Sequence, residues 1–177
     1  MTDEAIAAFI IDTFEAGVPP GRYTNRPDDL GGPTRWGVTK VGLAAFRGVR
    51  PQAITTADIQ AVTRDVAINV ALELAIVRPG LWIVNDWRPK LVTADFNYNA
   101  GADDGIAALQ RAAGAAADGI FGPVSLAAVQ AADPLTLTVR AVANRQRVHW
   151  TRGVGAQAAN LRGWMGRCTT LLLTVTA

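Results

Sequence analysis

The chain has 177 residues, half of them apolar and 18% charged, with a formal net charge of +2. This composition belongs to globular proteins long enough to bury a core in one domain, or in one domain built as two lobes, and it excludes a disordered or low-complexity chain. Cys168 is the only cysteine and His149 the only histidine. An intrachain disulfide, a cysteine metal cluster and a zinc site built on several His or Cys ligands are therefore excluded. The chemistry that remains is that of carboxylates, hydroxyls and backbone groups, with no metal or other cofactor expected.

Alanine dominates and helix-length apolar patterns recur, so the expected fold is mainly α. Ile6, Phe9, Ile10 and Phe14 form a helical stripe over Thr2–Phe14, with Thr2 or Asp3 as cap. Gly17, Pro19 and Pro20 stop it. From Phe14 to Thr39 the chain reads as one irregular loop, and Thr39–Arg47 as a short helix closed by Gly48. Thr55 to Asp58 carries a capping-box signal opening a long helix through Ile59, Val62, Val66, Val70 and Leu74, which Pro79-Gly80 ends.

A Trp-rich connector, Leu81–Trp87, leads to a helix reaching about Asn99, closed by Gly101, with Asp103 as the next cap. Short helices follow at Gly105–Ala113 and after Pro123, then a long basic helix from Asp133-Pro134 to about Arg152, and a last one near Ala156–Leu173. The best boundary is Asn85–Pro89.

Charge is unevenly spread. Pro134–Ala177 holds six arginines and no acid, whereas the first 133 residues carry 11 basic and 15 acidic groups. Such a tail suits an anionic partner or is simply a solvated helix face. No recognised nucleic-acid motif accompanies it, and nucleic acid is not expected as a partner. The N-terminus carries acids where a secretory signal carries lysines, and no apolar run reaches the ~18 residues of a membrane span. The expectation is a chain made in the cytoplasm that reaches any outside target by a separate pore or export route.

The loop is where chemistry is expected. Long loops without secondary structure inside compact domains are usually functional or disordered, and its aromatics favour the first. Glu15 sits at the C-terminal end of the first helix, where the dipole disfavours a carboxylate by roughly 0.3–1 kcal/mol. That position would push its pKa upward, as a general acid needs. Asp28, Asp29 and Thr34 return towards it. Glycoside hydrolysis needs a proton donor and a second group that steers water or stabilises the cation. Pro-Asp-Asp-Leu-Gly-Gly is equally a good turn, with Asp side chains bonding their own backbone.

The run Glu15-Ala-Gly, then Asp29-Leu-Gly-Gly-Pro-Thr34-Arg-Trp-Gly-Val-Thr39, resembles the signature of glycoside hydrolase family 108, the phage-type N-acetylmuramidases and related secretion activators. Asp95-Phe-Asn-Tyr-Asn-Ala-Gly101 is similar to the family's Asp-x-x-x-Asn-x-Gly. Leu109–Gly114, Asp118–Pro123 and Ser125-Leu126 resemble its C-terminal peptidoglycan-binding region, and Gly163-Trp164 with Arg167 its closing helix. Ala16 replaces a family glycine. Leu72-Glu73-Leu74 stands where many relatives have an aromatic pair, so a sugar-stacking platform is either absent or supplied by Trp82 or Trp87. Ala94 stands where an aromatic usually precedes the aspartate.

The resemblance implies a lysozyme-like helical fold, with residues 1–86 as catalytic lobe and 87–177 as a peptidoglycan-binding-like lobe packed on it. It implies a phage endolysin that cuts the β-1,4 bond between N-acetylmuramic acid and N-acetylglucosamine. Glu15 would be the acid, Asp29 its partner and Thr34 the holder of water. Tyr23, Trp36, Tyr98 and Asn99 are the candidate substrate contacts. Bacterial peptidoglycan is the implied partner, with anionic envelope polymers for the basic C-terminal helices. The alternatives are a lytic transglycosylase, or a non-catalytic peptidoglycan-binding or secretion-associated module. DGIFGP, the 118–123 segment, either docks two helices or anchors the wall.

Overall fold

The computed structural model describes residues 1–25 and 32–177. The fold is mainly α, and the described residues form two compact units, Met1–Arg78 and Pro79–Ala177. The division falls at Pro79-Gly80, ahead of Asn85–Pro89. The connector Leu81–Ile83 is a 3₁₀ turn with Leu81 buried, and Lys90 Nζ donates to Trp82 O at 3.4 Å, so the connector packs with the second unit.

In the first unit, α1 (Asp3–Ile10) starts on Thr2, whose hydroxyl accepts the Ala5 N–H at 3.2 Å. It does not simply fray at Phe14. Residues Ile11–Glu15 continue it as a π-helical turn, wider by one residue per hydrogen-bonded ring and often found at functional sites. α2 (Lys40–Arg47) is capped by Thr39 and closed by Gly48, as expected. The long helix expected after Thr55 is instead two. α3 (Thr56–Gln60) has the full capping box of Thr55 and Asp58. Thr63 then acts as a second cap, accepting the Val66 N–H at 3.3 Å, and restarts the chain as α4 (Arg64–Ala71). A second π-helical segment, Leu72–Val77, extends α4.

Ile6, Ile10, Leu43, Ile59, Val70 and Ile76 are buried in this unit. Each helix contributes one apolar stripe, the arrangement that removes most apolar area from water. At the surface, Arg64 meets Asp12 through two bonds of 2.7 and 2.5 Å, and Arg47 meets Asp58 at 2.8 Å. The hydrogen bond from Arg64 holds Asp12 below the usual carboxylate range. Asp58 is held lower still, first by the Thr55 hydroxyl and then by Arg47.

The second unit contains α5 (Trp87–Ala100), α6 (Ala102–Ala113), α7 (Pro123–Ala131), α8 (Pro134–Arg152) and α9 (Ala158–Thr176). Pro123 and Pro134 open their helices, and Asp133 caps α8 by accepting the Thr136 N–H at 2.8 Å. Asp103 is not a cap. Gly101 holds that position, and Asp103 lies inside the first turn of α6. α9 begins later than Ala156, because Gly155–Gln157 forms a 3₁₀ turn, and it runs on to Thr176.

DGIFGP is folded around one buried amide. Gln110 Nε2 shares its two hydrogens among Asp118 Oδ1 at 2.7 Å, Ile120 O at 3.0 Å and Ser125 Oγ at 2.9 Å, while its Oε1 accepts the Gly119 N–H at 2.9 Å. That network ties the end of α6 to the start of α7. It gives this motif a structural task whatever else the segment does.

α5, α8 and α9 meet at a buried ionic cluster. Asp95, with no exposure, accepts from Arg145 and from Arg167, the latter through Nε at 2.9 Å and Nη2 at 2.6 Å. Arg145 Nε donates to His149 Nε2 at 3.0 Å. The His149 ring stacks on Trp164 at 4.9 Å and leans on Phe96 at 5.3 Å. His149 is thus a core residue.

Burial, and then the charge of Arg145, push the His149 pKa down to about 4. The unfolded chain takes up a proton near pH 6.5 while the folded one stays neutral to about 4. Stability is therefore full above pH 6.5 and falls between 6.5 and 4, by about 3 kcal/mol at most. Urea melts across that window are expected to show the slope in wild type and a flatter profile in His149→Gln, which keeps an acceptor for Arg145 without titrating there. Parallel profiles would refute the assignment.

Candidate active site

The segment expected to be loop throughout contains a hairpin. β1 (Thr34–Arg35) pairs antiparallel with β2 (Val38–Thr39), Thr34 opposite Thr39 and Arg35 opposite Val38. The two residues between them, Trp36 (φ 54°) and Gly37 (φ 72°), are both left-handed, the geometry of a type I′ turn, which matches the natural twist of paired strands. Glycine adopts it freely, but for a tryptophan it costs about 1–2 kcal/mol. Strain of this kind persists where surrounding structure over-determines it.

Two contacts do that here. The Trp36 ring lies so close to Gly21 that a Cβ there would sit 2.8 Å from it. Arg35, the next residue back, donates from Nε to Gly21 O at 2.9 Å and from Nη1 to Gln60 O. Thr24 and Thr34 exchange backbone hydrogen bonds of 2.9 and 2.8 Å, which closes the base of the loop and fixes where the hairpin enters.

The turn is applied to Glu15. A Cβ on Gly37 would stand 2.5 Å from Glu15 Oε2 and 2.8 Å from its Cδ, so the backbone of the turn rests directly on the carboxylate. Only glycine satisfies both the left-handed φ and this approach. Glu15, Thr34 and Trp36 share one hollow of about 290 Å³, lined also by Phe14 and Arg22, near the lower end of the size of ligand clefts. The Thr34 hydroxyl donates to Gly32 O at 3.2 Å, which commits its hydrogen and leaves its oxygen to act as an acceptor.

The predicted residues divide accordingly. Glu15, Thr34 and Trp36 are brought together. Tyr23 is half-buried beside them but does not line the hollow. Asp29, with Asp28, lies outside the described residues. Tyr98 (half-buried) and Asn99 (exposed) are on the last turn of α5 in the other unit.

Sequence reasoning missed two participants. Gly37 could have been found from the two-residue turn Trp-Gly set between Thr-Arg and Val-Thr, a hairpin signal. Arg22 gave no signal, because nothing in its spacing tells a lining arginine from a solvated one. It is the only cation lining the hollow among the described residues, and it has no ion pair there. Among the described residues no cluster of His, Cys, Asp or Glu could hold a metal ion, and no helix is long and apolar enough to cross a membrane.

An all-helical scaffold that presents a carboxylate beneath a small hairpin defines a lysozyme-like fold. Residues 19–101, a little under half of the chain, match the family model described as Glycosyl hydrolase 108, and over that segment the sequence is similar to this family. Thr34, Trp36 and Gly37 fall inside the match, and Glu15 lies just ahead of it. Among solved structures, the chain is similar to SagA of Brucella abortus, at 22% identity and a TM-score of 0.81 over 97% of this chain and 94% of that one. That likeness establishes the shared fold. No curated protein matches.

Proposed function

We propose that the chain is a peptidoglycan hydrolase of the lysozyme type, cutting the β-1,4 bond between N-acetylmuramic acid and N-acetylglucosamine. The observation that carries this is the Glu15 carboxylate held under the Gly37 turn, in one hollow with Thr34 and Trp36. Protonated Glu15 gives its proton to the glycosidic oxygen as that bond breaks, and water adds to the sugar carbon left behind. Thr34 accepts a hydrogen bond from that water and orients it, and the proton the water loses on adding passes to a carboxylate, Asp29 or the Glu15 that has just given its own. Asp29 is the water's second partner through the family resemblance. Trp36 offers a ring face to a sugar. Arg22 meets a substrate carboxylate, which muramic acid carries and a neutral glycan does not. In this reading the protein serves cell lysis as a phage endolysin, reaching the wall by a separate pore or export route.

The test is the release of reducing ends from purified peptidoglycan by wild type and Glu15→Gln. The variant is expected to lose roughly 10²–10⁴-fold in rate while its circular dichroism and melting stay native. A variant that still lyses sacculi would overturn the assignment. Mass spectrometry of the products decides the bond chemistry: anhydro-muramoyl ends would make the enzyme a lytic transglycosylase, and intact binding without any release would make it a binding module.

A further inference from the structure

The second unit pairs some of its charges. Arg88 meets Asp86 at 3.1 Å, Arg152 meets Asp104 at 2.5 Å, and Arg145 and Arg167 share Asp95. Four of its arginines have no ion pair among the described residues: Arg162, and three that border one groove, Arg111 from α6 with Arg140 and Arg147 from α8. All three are exposed. Arg140 and Arg147 are seven residues apart, on one face of the helix about two turns or ~10 Å from each other. Between them sit Ala143 and Asn144, and the facing wall is Ala112, Ala113 and Gly114. Small residues thus leave a space of about 440 Å³ that three arginines line and no acid does. The Asn144 amide is pinned to Ala108 O at 3.2 Å, which fixes α8 against α6 and makes the groove part of the rigid packing rather than a product of side-chain drift.

We infer that this groove binds a phosphate-bearing glycan of the cell envelope. Three like charges held together repel one another, and an anion relieves that repulsion. Guanidinium forks match phosphate oxygens bidentately. Placement of three forks around one small-residue floor suits a tetrahedral, multiply charged group better than a lone planar carboxylate. The choice of an envelope glycan rests on the wall-hydrolase reading of the first unit. The affinity for phosphate groups does not. The groove would hold the enzyme on the wall between cuts, which makes the basic character of α8 a local site.

The experiment uses the full chain carrying Glu15→Gln, so that hydrolysis does not intervene. Its binding is compared on sacculi that retain their phosphodiester-linked glycan and on the same sacculi stripped of it by hydrofluoric acid. Tighter binding to the first is expected. Changing Arg111, Arg140 and Arg147 to Gln together should weaken that binding by about tenfold or more and leave binding to stripped sacculi unchanged. Arg140→Gln should weaken it more than Arg162→Gln, which removes the same charge elsewhere on the unit. Equal binding to the two preparations, or equal effects of the two single variants, would overturn the proposal. So would tighter binding to duplex DNA that the triple variant abolishes. Should the triple variant fail to fold, titration of the Glu15→Gln protein with inorganic phosphate remains. It should shift the amide signals of Gly114 and Asn144, and their constancy would count against the site. A failed Glu15 assignment appears as retained hydrolysis and leaves these outcomes independent.

Discussion

Asp95→Asn is expected to destabilise the second unit by about 3–5 kcal/mol. Asparagine keeps the shape of the side chain but removes its charge, leaving the Arg145 and Arg167 guanidiniums facing each other where Arg145 is 1% exposed. Burial alone would raise the Asp95 pKa, but the charges of Arg167 and Arg145 outweigh it and hold the carboxyl below its ordinary range. Its contribution is therefore present above the ordinary carboxylate pKa and lost as pH falls through the lowered folded value. Urea unfolding followed by tryptophan fluorescence reads the effect, since Trp164 stacks on His149 beside the cluster. A shift under about 1 kcal/mol would show that solvent, not Asp95, balances the arginines. A triple replacement, Asp95→Leu with Arg145→Met and Arg167→Met, should recover much of the loss, because a buried ion cluster often does no better than well-packed apolar groups.

Gly37→Ala is the second large effect, and it falls on rate. The left-handed backbone costs an alanine about 1–2 kcal/mol, and its methyl group has no room beside the Glu15 carboxylate. Either the turn lifts or the acid moves. A displacement near 1 Å at a reacting group can cost roughly 10²-fold in turnover. Gly48→Ala provides the comparison: φ there is also left-handed, at 69°, with no atom within 4 Å of an added Cβ. It should lose similar stability and keep its activity on purified peptidoglycan. Equal activity in the two variants would mean that the turn does not position Glu15.

Legibility in the sequence followed length scale. A periodic apolar stripe identified α1, and caps and breakers such as Gly48, Gly101 and Asp133-Pro134 marked α2, α5 and α8. The break at Ala61–Thr63 was masked because Ile59, Val62 and Val66 keep helical spacing across it. Only the Thr63 hydroxyl signalled a restart. The hairpin was missed for a related reason. Two-residue strands are too short for an alternating pattern, and Trp is an unusual occupant of a left-handed turn position. Glu15 was singled out by its place at a helix end and by the family pattern, Thr34 by that pattern, and Trp36 by its place in the loop. Arg22 and the Arg111 groove were hidden because they depend on which charges lack partners, which spacing along a chain does not record.

The π-helical turn at Ile11–Glu15 decides which way the acid faces. Continued as an ordinary α-helix, residue 15 would fall in phase with Ala8 and the exposed Glu4, roughly 140° round from Ile10. A ring closed one residue later brings it back nearly above buried Ile10. Asp12 and Thr13 take the solvent side instead. Glu15 thus continues from the buried Ile6–Ile10 stripe, while Asp12, in its ion pair with Arg64, takes the solvent side. The direction in which Glu15 leaves the helix follows from ring size in one turn of backbone, and the Gly37 turn then bears on the carboxylate so presented.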